Sequence, residues 1–179
     1  DACPTQALGE YEIYAEKCIS YLTIEHRGDL SDNNSELHHW IYGCDICQEV
    51  CPVNLKAMTT NEESFQVNVF DDFDLGKLLD IDEEEFRILF AGSSLKRAKL
   101  TGLKRNLCVV LGNLGDENSV PVLNRALNDD KAIVRSHAAW ALGRIGGSIA
   151  WQALEAAVGI EQDQEVKKEI LTALVVDTI

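Results

Sequence analysis

No apolar run in this chain approaches the roughly 18 residues that span a bilayer. No basic, apolar, small-residue leader opens it either. The sequence therefore predicts neither a membrane span nor a secretory signal. Cations are scarce: 16 Lys and Arg stand against 30 Asp and Glu, a formal net charge of −14. Indiscriminate nucleic-acid binding needs many cations facing phosphate, so such a role would have to rest on a local patch. A Met start is missing too. The chain begins Asp1-Ala2-Cys3, inside a motif, which reads as a piece of a longer protein. At 179 residues, with 46% hydrophobic and 26% charged, it suits one ordinary globular domain or two small ones.

Cysteine is what the chain does have. Of six, five fall within the first 51 residues. Cys44 and Cys47 form a CxxC pair, and Cys51-Pro52 follows. A second Cys-Pro, Cys3-Pro4, stands at the start. Three disulfides would be the extracellular reading. CxxC and Cys-Pro spacing instead suits a metal-binding segment in a reducing, cytoplasmic setting. A Cys-Pro ending marks the bacterial iron–sulfur run, whose last cysteine serves the neighbouring cluster. A four-thiolate zinc site is the chemical rival, but it has no use for such endings.

Counting points to a ligand set. Cys44 and Cys47 supply two thiolates, and Cys3 crosses from its own run to theirs. The fourth place, three residues after Cys47, is occupied by Val50. Cys18 is the remaining candidate nearby. Cys3, Cys18, Cys44 and Cys47 are thus expected on one [4Fe-4S] cluster, and Cys51 on a second. Tyr14, Cys18, Tyr21 and Leu22 recur at helical spacing, which predicts a short helix with Cys18 on its inner face. Gly28 is its expected stop, with His26 and Arg27 at its negative end. Trp40 and Tyr42 are expected to shield the cluster. His38 and His39 read as solvated or core-satisfying residues.

Residues 61–93 form an acidic connector. Asp71, Asp72, Asp74, Asp80, Asp82 and Glu83 to Glu85 crowd it, with Lys77 the only cation among them. The regular spacing and central glycine of a calcium loop are absent, so a solvated face is expected. Asp82 reads as an N-cap with Glu83 to Glu85 in the first turn, and Phe86, Leu89 and Phe90 as the apolar side.

Residues 94–179 repeat. GLKRNLCVVLGNLG, from Gly102, aligns with IVRSHAAWALGRIG, from Ile133, at an offset of 31, since 133 − 102 = 31. Val120, Leu123 and Ala126 match Trp151, Leu154 and Ala157 at the same offset. A third copy begins near Val166. Paired amphipathic helices at this period predict a HEAT-like α-solenoid. Cys108 maps onto Ala139 and is expected in the core. The fold class is therefore mainly α: a ferredoxin-like bis-[4Fe-4S] segment over residues 1–60, then the connector, then the repeats.

EKCISYLTIEHRG, then WIYGCDICQEVCP, then RSHAAWALGRIGG together resemble the C-terminal half of the epoxyqueuosine reductase family. Val53 departs from that family's usual Trp after Cys-Pro, and the polar loop from Leu30 to Asn34 replaces its usual Pro. The resemblance implies two [4Fe-4S] clusters with the ligands counted above. It also implies cobalamin, bound mainly by a domain outside this chain that carries the catalytic acid. The implied reaction reduces epoxyqueuosine to queuosine in tRNA, with electrons from a flavodoxin or ferredoxin, in a monomer. The tRNA anticodon arm is the implied partner of the repeats. From Ala91 to Leu107 there are Lys96, Arg97, Lys99, Lys104 and Arg105 and no acid. Arg135 occupies the repeat position of Lys104, so these six are the expected RNA contacts, Lys104 and Arg135 sharing one edge.

Overall fold

The structure, a computed structural model, describes residues 1–30, 33–62 and 74–175. Asp71 and Asp72 of the acidic run, and Ser31 and Asp32 of the polar loop, lie outside the described residues.

Regular structure is sparse before Glu62. Among the described residues there, helix α1 (Ile19–Ile24), the single turn α2 (Ile46–Glu49) and short 3₁₀ turns are joined by irregular backbone. One antiparallel bridge pairs Leu8 with Ile13. The expected helix through Cys18 is broken there. A 3₁₀ turn spans Ala15–Lys17, Cys18 is extended at φ −75°, ψ 116°, and α1 starts at Ile19. The buried face is Ile19, Leu22 and Thr23, whereas Tyr14 and Tyr21 are exposed, which corrects the predicted inner face. Helix α1 also stops at Ile24, well before Gly28. Arg27 Nη1 donates to Ile24 O at 2.8 Å and so satisfies one terminal carbonyl, as a cation at that end should.

From Asp74 onward the chain is helical. Helix α3 (Leu75–Asp80) is capped by Asp74, whose Oδ1 accepts from Gly76 N at 2.9 Å. Helix α4 (Glu83–Leu89) opens on a capping box. Asp82 Oδ1 accepts from Glu85 N at 2.8 Å, and Glu85 Oε2 accepts from Asp82 N at 2.9 Å. Phe86 and Phe90 are buried with ring centroids 5.1 Å apart, but Leu89 faces solvent. Then come α5 (Lys99–Leu114), α6 (Val120–Ala126), α7 (Ala132–Ile145), α8 (Ser148–Ile160) and α9 (Gln164–Val175). Helices α5 and α6 make one repeat, α7 and α8 the next, and α9 opens a third. Helix α7 packs between α5 and α9.

The glycines that recur at the 31-residue offset explain how these three approach. A Cβ on Gly112 would lie 2.8 Å from Ala141 Cα, and one on Gly143 would lie 2.6 Å from Ala173 Cβ. Backbone meets backbone at both places, so only hydrogen fits. One hydrophobic core runs from Leu78 and Leu79 through Phe86, Phe90, Leu107 and Leu142 to Ala173. Cys108 is fully buried in it, and burial pushes its thiol pKa well up. Helices α3 and α4 of the acidic run therefore feed the same core as the repeats. No helix among the described residues is long and apolar enough to cross a membrane.

A second, smaller core joins the two parts: Ile19, Leu22, Leu30 and Leu37 close around Val109 of α5, with Trp40, Cys44 and Trp140 against them.

Candidate metal centre

Cys3, Cys18, Cys44 and Cys47 line one cavity of about 80 Å³. Its remaining walls are Pro4, Thr5, Ala7, Leu8, Ile13, Ile19 and Ile46, so all but one are apolar. Four separate pieces of backbone deliver the sulfurs. Cys3 sits at the turn before Pro4, and Cys18 at the extended joint between the 3₁₀ turn and α1. Cys44 follows Gly43, and Cys47 lies in α2. Gly43 has φ +73°, a conformation glycine adopts without steric cost. The break at Cys18 thus places a sulfur at the cavity. Cys51 lies past the end of α2 and does not line the cavity.

The electrostatics agree with this convergence. Burial raises the Cys44 thiol pKa, the Ile46 N–H opposes that, and the neighbouring sulfurs of Cys47, Cys18 and Cys3 raise it further. At Cys3 burial also pushes upward, but hydrogen bonds from Thr5 and from the backbone of Ala7, Thr5 and Gln6 outweigh it and hold the thiol below its ordinary value. Ala7 N donates to Cys3 Sγ at 3.3 Å. Among the described residues no group of three or more His, Cys, Asp or Glu converges on a single metal ion. Four soft thiols spread around an apolar hollow fit an iron–sulfur cluster, a larger body than one ion, and N–H donors to sulfur are among the features that tune its potential.

The segments carrying these sulfurs are tied together by groups the sequence reading passed over. Thr23 Oγ1 donates to Ile19 O at 2.7 Å and accepts from Gly43 N at 2.9 Å. Asn106, from α5, donates through Nδ2 to Thr23 O and to Ile41 O, each at 2.8 Å. One amide thus bridges the stretch after Cys18 to the stretch before Cys44. A polar Asn in the middle of the apolar α5 run was the available signal. Trp40 packs against the small core but does not line the sulfur cavity. Tyr42 faces away: its hydroxyl donates to Ser94 O at 2.6 Å, and its ring lines a separate cavity of about 440 Å³ against Leu78, Phe90 and Leu103. The expectation that both shield the sulfurs is corrected accordingly.

The cations expected on RNA divide into two sets. Arg105 is buried, 1% exposed, and donates to Leu22 O, His26 O and Gly28 O at 2.7, 2.9 and 2.9 Å. Burial and nearby Arg27 bring its pKa down to about 10, so it stays charged at neutral pH. It solvates backbone and is out of reach of RNA, a correction to the sequence reading. Lys104 pairs with Asp129 at 3.1 Å, and Arg135 with Glu161 at 2.7 and 2.9 Å. Glu161 is held down to about 2 chiefly by that arginine. Each of these two repeat-equivalent cations latches the start of one repeat helix to the turn ending its partner. Lys96, Arg97 and Lys99 remain exposed, with Arg97 in a solvent-facing pair with Glu25.

Residues 1–54 match the family of the 4Fe-4S double cluster binding domain, and residues 93–175 match that of HEAT repeats. An epoxyqueuosine reductase from Xanthomonas campestris is 40% identical over 150 residues, 82% of this chain and 42% of that protein. One from Leadbetterella byssophila is 44% identical over 115 residues, 62% of this chain and 36% of its own. Over the stretch it spans, the chain is similar to the epoxyqueuosine reductases. It spans well under half the length of these two curated relatives. A crystal structure of epoxyqueuosine reductase with an epoxyqueuosine-modified tRNA-Tyr stem loop matches with a TM-score of 0.88 at 32% identity. The match covers 97% of this chain and 47% of that one.

Proposed function

We propose that this chain is the cluster-bearing and RNA-facing part of an enzyme that reduces epoxyqueuosine in tRNA to queuosine. The observation carrying the proposal is the meeting of Cys3, Cys18, Cys44 and Cys47 on one apolar cavity, in a fold that follows the epoxyqueuosine reductases along nearly all its length. These four hold one [4Fe-4S] cluster and Cys51 contributes to a second. Cobalamin belongs mainly to parts of the relatives that this chain does not span. When bound, the clusters supply single electrons and cobalamin the chemistry at the substrate. The net reaction takes two electrons and two protons, breaks both epoxide C–O bonds and releases water.

This chain's own residues do three things in that scheme. The thiols hold the iron, with Thr23 and Asn106 keeping their backbone segments together. Pro4, Ala7, Leu8, Ile13, Ile19 and Ile46 keep water from the sulfurs. The exposed Lys96, Arg97 and Lys99 meet the phosphates of a tRNA anticodon arm. Arg97 can leave Glu25 for a phosphate at little cost, because exposed pairs contribute only about 0–1 kcal/mol. A flavodoxin or ferredoxin donates the electrons, and the protein acts as a monomer. The chain by itself does not turn over.

A second reading, a ferredoxin-like carrier fused to a HEAT-type protein-interaction scaffold, is favoured by one fact: Lys104, Arg105 and Arg135 are all committed within the fold. The deciding experiment is anaerobic iron–sulfur reconstitution followed by optical and EPR spectra, then titration with an anticodon stem loop. A brown, EPR-active protein that binds the stem loop in a salt-sensitive way supports the reductase. The same spectra without RNA binding support the carrier. A colourless protein that holds zinc and refuses iron overturns both.

A further inference from the structure

Among the chain's arginines, Arg144 stands apart. Arg27 and Arg105 bond backbone carbonyls, and Arg87, Arg97, Arg125 and Arg135 pair with carboxylates. Arg144 is exposed near the end of α7 and has neither kind of partner among the described residues. Its guanidinium lies over the Trp140 ring, 5.7 Å from the centroid. The repeat register makes this informative. Arg144 occupies the position of Asn113 one repeat earlier, since 144 − 113 = 31. The Asn113 amide donates to Asn34 O at 2.8 Å and His38 O at 3.0 Å. In the first copy this position is spent on holding the cluster segment. In the second it carries a longer cation that the fold does not consume.

Arg144 and Asn113 line a hollow of about 250 Å³ with Ser35, His38, His39 and Leu114. Among the described residues no carboxylate lines it, in a chain of net charge −14. Two imidazoles, a hydroxyl and a guanidinium are the groups that bind phosphate oxygens. His38 is held at φ 46°, ψ −114°, a strained conformation that persists only where the surroundings impose it. His39 lies stacked on Trp40, centroids 5.3 Å apart.

We propose that this hollow takes one phosphate of an RNA strand, held by Arg144, His38 and His39. This rests on the RNA reading above and adds a second contact, near the end of α7, whereas Lys96, Arg97 and Lys99 stand just before and at the start of α5. It needs no rupture of the Lys104 and Arg135 pairs. Stacking on Trp140 holds the guanidinium ready, so little side-chain freedom is lost on binding.

The test is binding of a fluorescent anticodon stem loop by the full-length protein across a range of salt concentrations. Arg144→Gln is expected to weaken binding about tenfold and to reduce the salt slope by about 0.7–0.9, the share of one phosphate contact. A His38→Gln, His39→Gln double variant is expected to weaken it in the same direction by a smaller factor. If Arg144→Gln binds as the wild type does, with the same slope, the hollow is no RNA site, though the tRNA reading stands. If affinity falls without any change of slope, the loss is structural and the phosphate assignment fails. If the wild-type protein does not bind the stem loop at all, the tRNA reading falls and this inference falls with it.

Discussion

The first 62 residues and the helical stack after Asp74 satisfy their backbone polar groups by different means. In the stack each helix bonds its own carbonyls and buries one face against its neighbours in a continuous core. The cluster segment has little helix and, among the described residues, only an isolated bridge. Its carbonyls are met from outside, by side chains of α5: Arg105 on Leu22, His26 and Gly28, Asn106 on Thr23 and Ile41, Asn113 on Asn34 and His38. Helix α7 adds His137, whose Nε2 accepts from Leu30 N at 3.3 Å. The small core of that segment likewise needs Val109 and Trp140 to close it. Solenoids stack because single repeats cannot bury enough surface. Here the row of α5 and α7 also supplies hydrogen-bond partners to a segment that cannot form its own ladders.

The comparison breaks hardest at the sulfurs. Cys18→Ser is expected to remove one cluster of the full-length protein, lowering iron and acid-labile sulfide by about half. Cys108→Ala leaves both unchanged, since that thiol is sealed in the solenoid core. Iron analysis with EPR measures the difference.

Asn106→Ala leaves Thr23 O and Ile41 O buried without their donor and should cost about 3 kcal/mol. Hydrogen exchange should show the loss first around residues 18–44, with the repeats still protected. Uniform loss through α5 to α9 would mean that the cluster segment has no separate stability.

Within the stack, Gly143→Ala forces a Cβ to 2.6 Å from Ala173 Cβ. Overpacking of this kind costs about 1–3 kcal/mol, read from a shift in the denaturant midpoint.

The join between the regions should respond to pH. Burial lowers the His137 pKa from 6.5 to about 4. Its Nδ1 donates to Ile133 O at 2.7 Å, so the neutral ring accepts from Leu30 through Nε2. Between about pH 4 and 6.5 the unfolded imidazole binds a proton that the folded one refuses. Stability therefore rises with pH through this window, by about 3 kcal/mol, and levels off above it. A His137→Gln variant should flatten that slope. Asp29 Oδ1, 3.2 Å from Nε2, is the group that would receive the proton's charge on acidification.

The smallest effect has the opposite sign. A Cβ placed on Gly159, in α8, would meet open space. Gly159→Ala should stabilise by about 0.5–1 kcal/mol, visible as a small rise in the thermal midpoint.

Much was legible from local pattern. The capping box at Asp82 and Glu85 follows from residues three apart. The solenoid follows from apolar positions recurring every 31 residues, and the recurring glycines mark the close helix approaches. The break at Cys18 was not legible, because tyrosines at helical spacing suggested a face that the fold leaves in water. The exposure of Leu89 escaped for a similar reason: periodicity names two apolar sides and packing chooses one.

The sequence by itself determined the helices of the repeats, their register and the cysteine spacing, since each depends on neighbours a few residues away or on an exact repeat. The tertiary structure alone decided which charges are free. Lys104, Arg105 and Arg135 look alike in the chain, yet one bonds carbonyls 77–83 positions earlier and the others meet carboxylates 25 and 26 positions later. A cation's availability is set by what burial brings beside it, because an unpaired charge out of water costs far more than any local preference can offset.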